Sequence, residues 1–306
     1  MPKTRFVFAA AALVADVRAP AAHADGQASP GVYQGWNGLV DKTRGIRFVA
    51  LPADRGRWTV LARIKLRGGS VTRYGSIRGS YGLPGVTFRG DVGGLSPDGR
   101  VLVVAETPSG GSILRTVSRL AVVDARTLKT RARITLTGDL SFDALSPDGR
   151  TLYLIQHTST RDLQRYRVRA YDLVQRRLLP GAIVDRTEPN MRGYPLARIS
   201  GSRGAWVYTL YQGDAPFVHA LDTVHGRAVC LDLPWHSSQN VLWQSHLALR
   251  DSGGQLAVVN RLGKTEAILN LRPGRKSATT TWAAAGLSGV GLMATALFLR
   301  RRRQPS

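Results

Sequence analysis

A chain of 306 residues with 43% hydrophobic content is long enough for one large domain or two small ones, and this composition excludes a disordered chain. Its single cysteine, Cys230, excludes an internal disulfide framework, so packing and hydrogen bonds alone must hold the fold, and Cys230 itself reads as a buried small hydrophobe. A formal net charge of +23 points to anionic partners.

In chain order, residues 1–24 read as an export signal: Lys3 and Arg5, an apolar run over 6–15, and the A-x-A-like site Ala22-His23-Ala24. The run is too short to span a bilayer. Asp16 and Arg18 follow it closely, which leaves an uncleaved signal as the alternative. Without residues 1–24 and Arg300 to Arg303, 36 bases face 19 acids, so +17 remains on a domain expected over 25–276. Outside a membrane such a surface suits an anionic cell-envelope polymer or lipid head groups ahead of nucleic acid.

The hexapeptide LSPDGR occurs at 95–100 and again at 145–150, each time running into an apolar stretch. Short apolar runs separated by turn residues predict strands over 101–105, 120–123 and 132–136, and over 151–156, 168–171 and 181–184 in the second copy. Worn copies follow at RISGSRGAWVYTLY (198–211) and LALRDSGGQLAVVNRLGKTEAILNL (247–271). An earlier one, FVALPADRGRWTVLARI (48–64), has Ala53-Asp54-Arg55-Gly56 at its turn. The turns recur at roughly 50-residue intervals, the period of a propeller blade. Asp124, Asp172 and Asp222 mark a second register, each closing the second strand after the turn. The expected fold is all-β, a β-propeller of about five or six blades, a sixth sheet being drawn from 31–45 plus chain-terminal residues. Pro97 and Gly99 suit a tight turn between the first and second strands of a blade, which makes Asp98 and Asp148 structural.

The SPDGR-plus-strand unit with an Asp-closed second strand resembles the bacterial YVTN-type and TolB-like β-propeller repeats, over roughly 48–271. Where that repeat has Tyr-Val-Thr-Asn, this chain reads AVVD, RAYD, HALD and AVVN. The resemblance therefore implies the fold and no particular activity. The order of signal, propeller, C-terminal apolar segment and arginine tail also resembles uncharacterised actinobacterial membrane-anchored proteins.

Thr279 to Leu299 carries no charge and then meets four arginines, which predicts a single transmembrane helix over 277–299 and a cytoplasmic tail over 300–306. Trp282 sits where an interfacial aromatic would anchor the outer end. Gly286, Gly289 and Gly291 form no G-x-x-x-G pair.

Chemical motifs are sparse. No His or Cys spacing suits a metal, no Gly-rich phosphate loop precedes a helix, and no G-x-S-x-G elbow occurs, so no metal or cofactor is expected. Propeller sites lie where the first strand of each blade enters the central channel, here after RGDVGG, TGDLSFDA, EPNMRGYP and SSQNVLWQSH. The candidate channel-lining residues are Asp91, Asp139, Asp143, Arg192 and His246, with Arg192 suited to bidentate recognition of an anion. The expected function is a membrane-anchored binding or scaffold module for an anionic envelope polymer or a partner protein. The alternative is a propeller-type enzyme, a hydrolase, lyase or quinoprotein-like oxidoreductase, with its site in the channel. A receptor role is disfavoured by the seven-residue tail.

Overall fold

The computed structural model describes residues 29–108, 114–188 and 191–271. The export signal, the transmembrane helix and the basic tail lie outside the described residues. Within them the regular structure is strands and single 3-10 turns. A two-residue strand, β1 (Val32–Tyr33), comes first. The first sheet follows in the order β2 (Gly35–Asp41), β3 (Ile46–Ala53), β4 (Trp58–Lys65) and β5 (Val71–Arg78). The second holds β6 (Tyr81–Pro84), β7 (Val101–Glu106), β8 (Val117–Asp124) and β9 (Thr130–Thr137), with β1 added on the free edge of β6. The third is β10 (Leu140–Leu145), β11 (Thr151–His157), β12 (Tyr166–Asp172) and β13 (Arg177–Leu178). The fourth is β14 (Tyr194–Ser200), β15 (Trp206–Gln212), β16 (Phe217–Asp222) and β17 (Arg227–Asp232). The fifth is β18 (His246–Arg250), β19 (Gln255–Val259) and β20 (Thr265–Asn270).

All strand pairs are antiparallel, and each sheet hides its apolar alternation against the next one in the chain. Phe48, Leu61 and Ile77 of the first sheet pack on Leu83, Leu102 and Val104 of the second. Val103, Leu120 and Ile134 meet Phe142, Leu152 and Leu154 across the next interface. Tyr153 and Val168 meet Val207 and Tyr211, then Leu210 and Val218 meet Leu256 and Val258. No hydrophobic cluster among the described residues joins the fifth sheet to the first; the remaining cluster, Val49, Ala62 and Ile64, lies on the first sheet alone. The sixth sheet expected from 31–45 does not form: these residues become β2 and the β1 edge.

Turn chemistry sets the blade register. Ser96 donates to Asp98 at 2.5 Å and accepts the amides of Arg100 and Val101. Ser146, Asp148, Arg150 and Thr151 repeat that arrangement. Asp124, Asp172 and Asp222 each fold their carboxylate over the two amides that begin the following turn. Burial opposes ionisation of Asp124 and Asp222, yet these amides and the nearby arginines hold both carboxyls below the ordinary range. Ser146→Ala leaves two backbone amides without that acceptor and should cost ~1–2 kcal/mol. A thermal melt should move down by roughly 3–6 °C. Because the Ser146 hydroxyl is the main influence lowering the Asp148 carboxyl, the same variant should raise the Asp148 titration, readable by NMR.

Two sequence expectations shift. Ala53 to Gly56 is not the counterpart of SPDG, because it joins β3 to β4, at the opposite end of the sheet from the β2–β3 turn. The turn over 42–45 takes the SPDG place, and Arg44 within it donates to the Pro97 carbonyl at 2.9 Å. A second marker agrees: Thr59 on β4 clasps the Gly79 carbonyl and the Tyr81 amide, as Ser118 on β8 clasps Gly138 and Leu140. The other shift is in the third sheet, whose outer strand is β13 and not 181–184. Pro180 and a left-handed Gly181 break the chain there, leaving one isolated bridge at Ile183.

Candidate functional site

The second, third and fourth sheets meet around one space, and the chain largely fills it. β10 runs continuously past that centre apart from a bulge between Phe142 and Ala144 that frees Asp143. At the matching point of the second sheet the strand leaves after Pro84 and rejoins at Gly94, whose carbonyl accepts the Val103 amide at 2.7 Å. The excursion over 85–93 crosses the centre: the Phe88 amide donates to the Pro195 carbonyl of β14 at 2.8 Å, its ring meets Tyr194 edge-on, and Arg89 donates to the Ser245 carbonyl beside β18. β1 lies against the same strand, so close that a Cβ on Gly82 would come within 2.5 Å of the Tyr33 carbonyl oxygen. Beside this crossing lies a cavity of about 20 Å³, lined by Pro30, Val86, Asp143, His157, Tyr166 and Tyr211 among others. That is room for one ordered water.

Asp143 is the one sequence candidate on this cavity, and Arg198 of β14 claims it. The guanidinium donates to Asp143 Oδ1 at 2.7 Å and to the Asp143 backbone carbonyl at 2.6 Å, with both side chains largely buried. Asp143 Oδ2 has no hydrogen-bond partner. Tyr166 stacks on Tyr211 at 4.9 Å, and Tyr211 stacks on Phe217 at 5.3 Å. Burial pushes both phenols up, well above the ordinary range for Tyr166. His219 of β16 sits edge-on to Tyr211, and burial pulls its imidazole down to about 4 against the opposing charge of Asp143.

The other four candidates stand elsewhere. Asp139 is buried one joint away, held by Arg115 through Nε at 2.8 Å and Nη2 at 2.5 Å, with His157 Nδ1 3.8 Å from it. Asp91 is exposed and closes its own loop by accepting the Thr87 hydroxyl at 2.8 Å. His246 begins β18, exposed, opposite Val259. Arg192 donates to Asp162 at 2.8 Å and to Asp214 at 2.6 Å, and the Asp162 hydrogen bond raises its pKa further. The sequence singled it out for an incoming anion; in the structure its fork already holds two carboxylates of this chain. It lines an open hollow of about 170 Å³ with Glu188, Asp214, Phe217 and Cys230, walls that repel an anion. Cys230 is buried as expected, and burial together with Glu188 pushes its thiol up, which makes it inert.

No family model matches the chain. No curated protein matches it either. Solved structures do: hydrazine synthase of Kuenenia stuttgartiensis at 15% identity, over 79% of this chain and 77% of that one, with a TM-score of 0.40. The β-propeller domain of Cps50 (Swd1) from Myceliophteria thermophila matches at 13% identity over 77% of this chain and 63% of that one, TM-score 0.42. A putative TolB from Agrobacterium tumefaciens matches at 12% identity, 69% and 68%, TM-score 0.40.

Arg198, His219, Tyr166 and Tyr211 carry the centre, and none was singled out from sequence as part of it. A signal existed for two of them. Arg198 in YPLARIS and His219 in FVHALD are polar residues set inside otherwise apolar strands. Among the described residues no three His, Cys, Asp or Glu side chains stand close enough to hold a metal. The chemistry of this centre is thus internal: charges paired to one another, phenols kept protonated and an imidazole kept neutral.

Proposed function

We propose that this chain is a binding module, a propeller carried outside a membrane by a C-terminal helix, whose ligand is an anionic polymer of the cell envelope. The observation that carries this reading is the contrast between centre and surface. Residues 30–33 and 85–93 run across the centre, beside a cavity of about 20 Å³. The surface keeps a large uncompensated positive charge, +17 over residues 25–276. The anchor rests on the uncharged stretch ending in Arg300 to Arg303.

Full-length protein mixed with isolated envelope fractions should sediment with them at about 50 mM salt and be released at about 500 mM, as the screening length falls below contact-scale separations. A drop in bound protein of at least tenfold is expected. Absence of retention at the low salt concentration would overturn the proposal.

A further inference from the structure

The positive charge is not spread evenly. Residues 29–80, which build the first sheet, carry ten Lys and Arg against two acids. The next stretch, 81–138, carries eight against four; 139–193 nine against seven; 194–245 three against three; and 246–271 three against two. Both acids of the first sheet are already engaged, Asp41 with Arg44 at 2.9 Å and Asp54 with Arg57 at 2.8 Å. That leaves eight cations there, Arg47, Arg67 and Arg78 among them, with no ion pair among the described residues. In 81–138 Arg100, Arg115, Arg119 and Arg131 find carboxylates, and in 139–193 Arg150 and Arg192 do, where seven acids also offset most of the remaining cations.

Among the described residues no other sheet joins the second face of this sheet, where Val49, Ala62 and Ile64 are buried and Tyr74, Trp58, Ser76 and Arg78 are exposed. Cross-strand pairing puts Val49, Ala62 and Tyr74 in one row, Leu51, Val60 and Ser76 in the next, and Ala53, Trp58 and Arg78 in a third. Val40, Arg47 and Ile64 make the fourth. This is the side turned away from the second sheet, since Phe48, Ala50 and Leu61 point the other way. Tyr74 is 76% exposed and Trp58 42%, while Trp36 on the edge strand β2 is 63% exposed. Arg47 lies half-buried on this face, its Nε buried and without a hydrogen-bond partner. An Arg47 Nε without a hydrogen-bond partner, and Arg78 paired directly across from the exposed Trp58, are what a ligand bearing both anions and flat apolar surfaces would complete.

We infer that the far face of the first sheet is the polymer-binding surface, and that it takes an anionic glycopolymer whose sugar rings stack on Tyr74 and Trp58 while its phosphates pair with Arg47 and Arg78. This rests on the envelope-polymer reading and gives it an address. A second copy of the chain is the poorer occupant, because docking this sheet on itself would bring two sets of eight unpaired cations together. Apolar rings beside the cations separate a glycopolymer from a simple counterion atmosphere, and the C–H faces of sugars are the surfaces that lie flat on tyrosine and tryptophan.

The test uses the full chain in detergent micelles with three labelled probes: glycosylated poly(glycerol phosphate), duplex DNA at matched phosphate concentration, and uncharged dextran. Affinities are read by fluorescence polarisation at about 50 and 300 mM salt. Arg47→Gln with Arg78→Gln should weaken glycopolymer binding at least tenfold, and Tyr74→Ser several-fold, whereas Arg161→Gln with Arg177→Gln, exposed arginines of the third-sheet segment, should change it less than twofold. Tyr74 is exposed, so its variant keeps the fold if the half-buried Arg47 change does not, and circular dichroism checks each. No binding by wild type would overturn the envelope-polymer reading itself. Equal losses from the two arginine pairs would leave that reading standing and overturn the surface. DNA bound as tightly as glycopolymer, with the same losses, would overturn the ligand class. A dimer in sedimentation that Tyr74→Ser abolishes would replace the polymer with a second copy.

Discussion

Replacing Arg198 with Met should destabilise this protein more than any single change on its surface, by ~3–5 kcal/mol. The reason is the state in which it leaves Asp143. The carboxylate is nearly out of contact with solvent, Oδ1 depends on Arg198 for its hydrogen bond, and Oδ2 already lacks a partner. Removing the guanidinium strands a buried charge and also takes away the donor to the Asp143 carbonyl. For a unit of this size each kcal/mol moves the melting point by roughly 2–4 °C, so the transition should fall by roughly 6–20 °C. The companion double variant, Asp143→Asn with Arg198→Met, removes the charge as well as its partner and should regain much of the loss. A double variant no more stable than Arg198→Met would show that the site matters for packing and not for charge pairing. Chemical denaturation of the four proteins in the cycle decides the matter.

The parts of this architecture that local chemistry dictates were legible in the chain. Ser-Pro-Asp-Gly makes its own turn through bonds that span five residues or fewer, and Asp124, Asp172 and Asp222 do the same, so strand positions and blade period could be placed from them. Ala53 to Gly56 misled for the same reason. A left-handed turn with Asp and Gly looks alike at either end of a hairpin, and only the pairing of β2 with β3 shows which end it occupies. The centre was not legible. It is closed by Phe88 on Pro195 and by Arg89 on Ser245, contacts that span more than a hundred residues and carry no motif. Asp139, Asp143 and Arg192 are polar groups beside the starts of first strands, but what a polar group does there depends on whether another strand brings its counter-charge. For these three, Arg115, Arg198, Asp162 and Asp214 do.

The second large effect is a loss of stability in mild acid, traced to His219. The imidazole is 2% exposed, its Nε2 makes no hydrogen bond, and burial holds its pKa at about 4 where an unfolded chain has 6.5. The groups that face it oppose one another: Asp143 and Asp185 favour the imidazolium, Arg198 disfavours it. Because the folded pKa lies below the unfolded one, the unfolded chain takes up a proton that the folded chain refuses once the pH drops under 6.5. Stability is therefore complete above about pH 7, falls as pH drops through 6.5, and stops falling below about 4. Between pH 7.5 and 5.0 the expected loss is ~2 kcal/mol, at 1.36 kcal/mol per unit. The depressed carboxyls of Asp124, Asp148 and Asp222 act in another window, since their contribution is lost only as pH falls below about 3.8 towards their folded values. The two origins thus separate by pH alone. Urea unfolding at pH 7.5 and 5.0 should show the ~2 kcal/mol difference in wild type and a much smaller one in His219→Gln, which cannot take up that proton. If the variant kept the full difference, the imidazole would not be its source, and the buried polar cluster around Asp143 would have to be assigned a different proton.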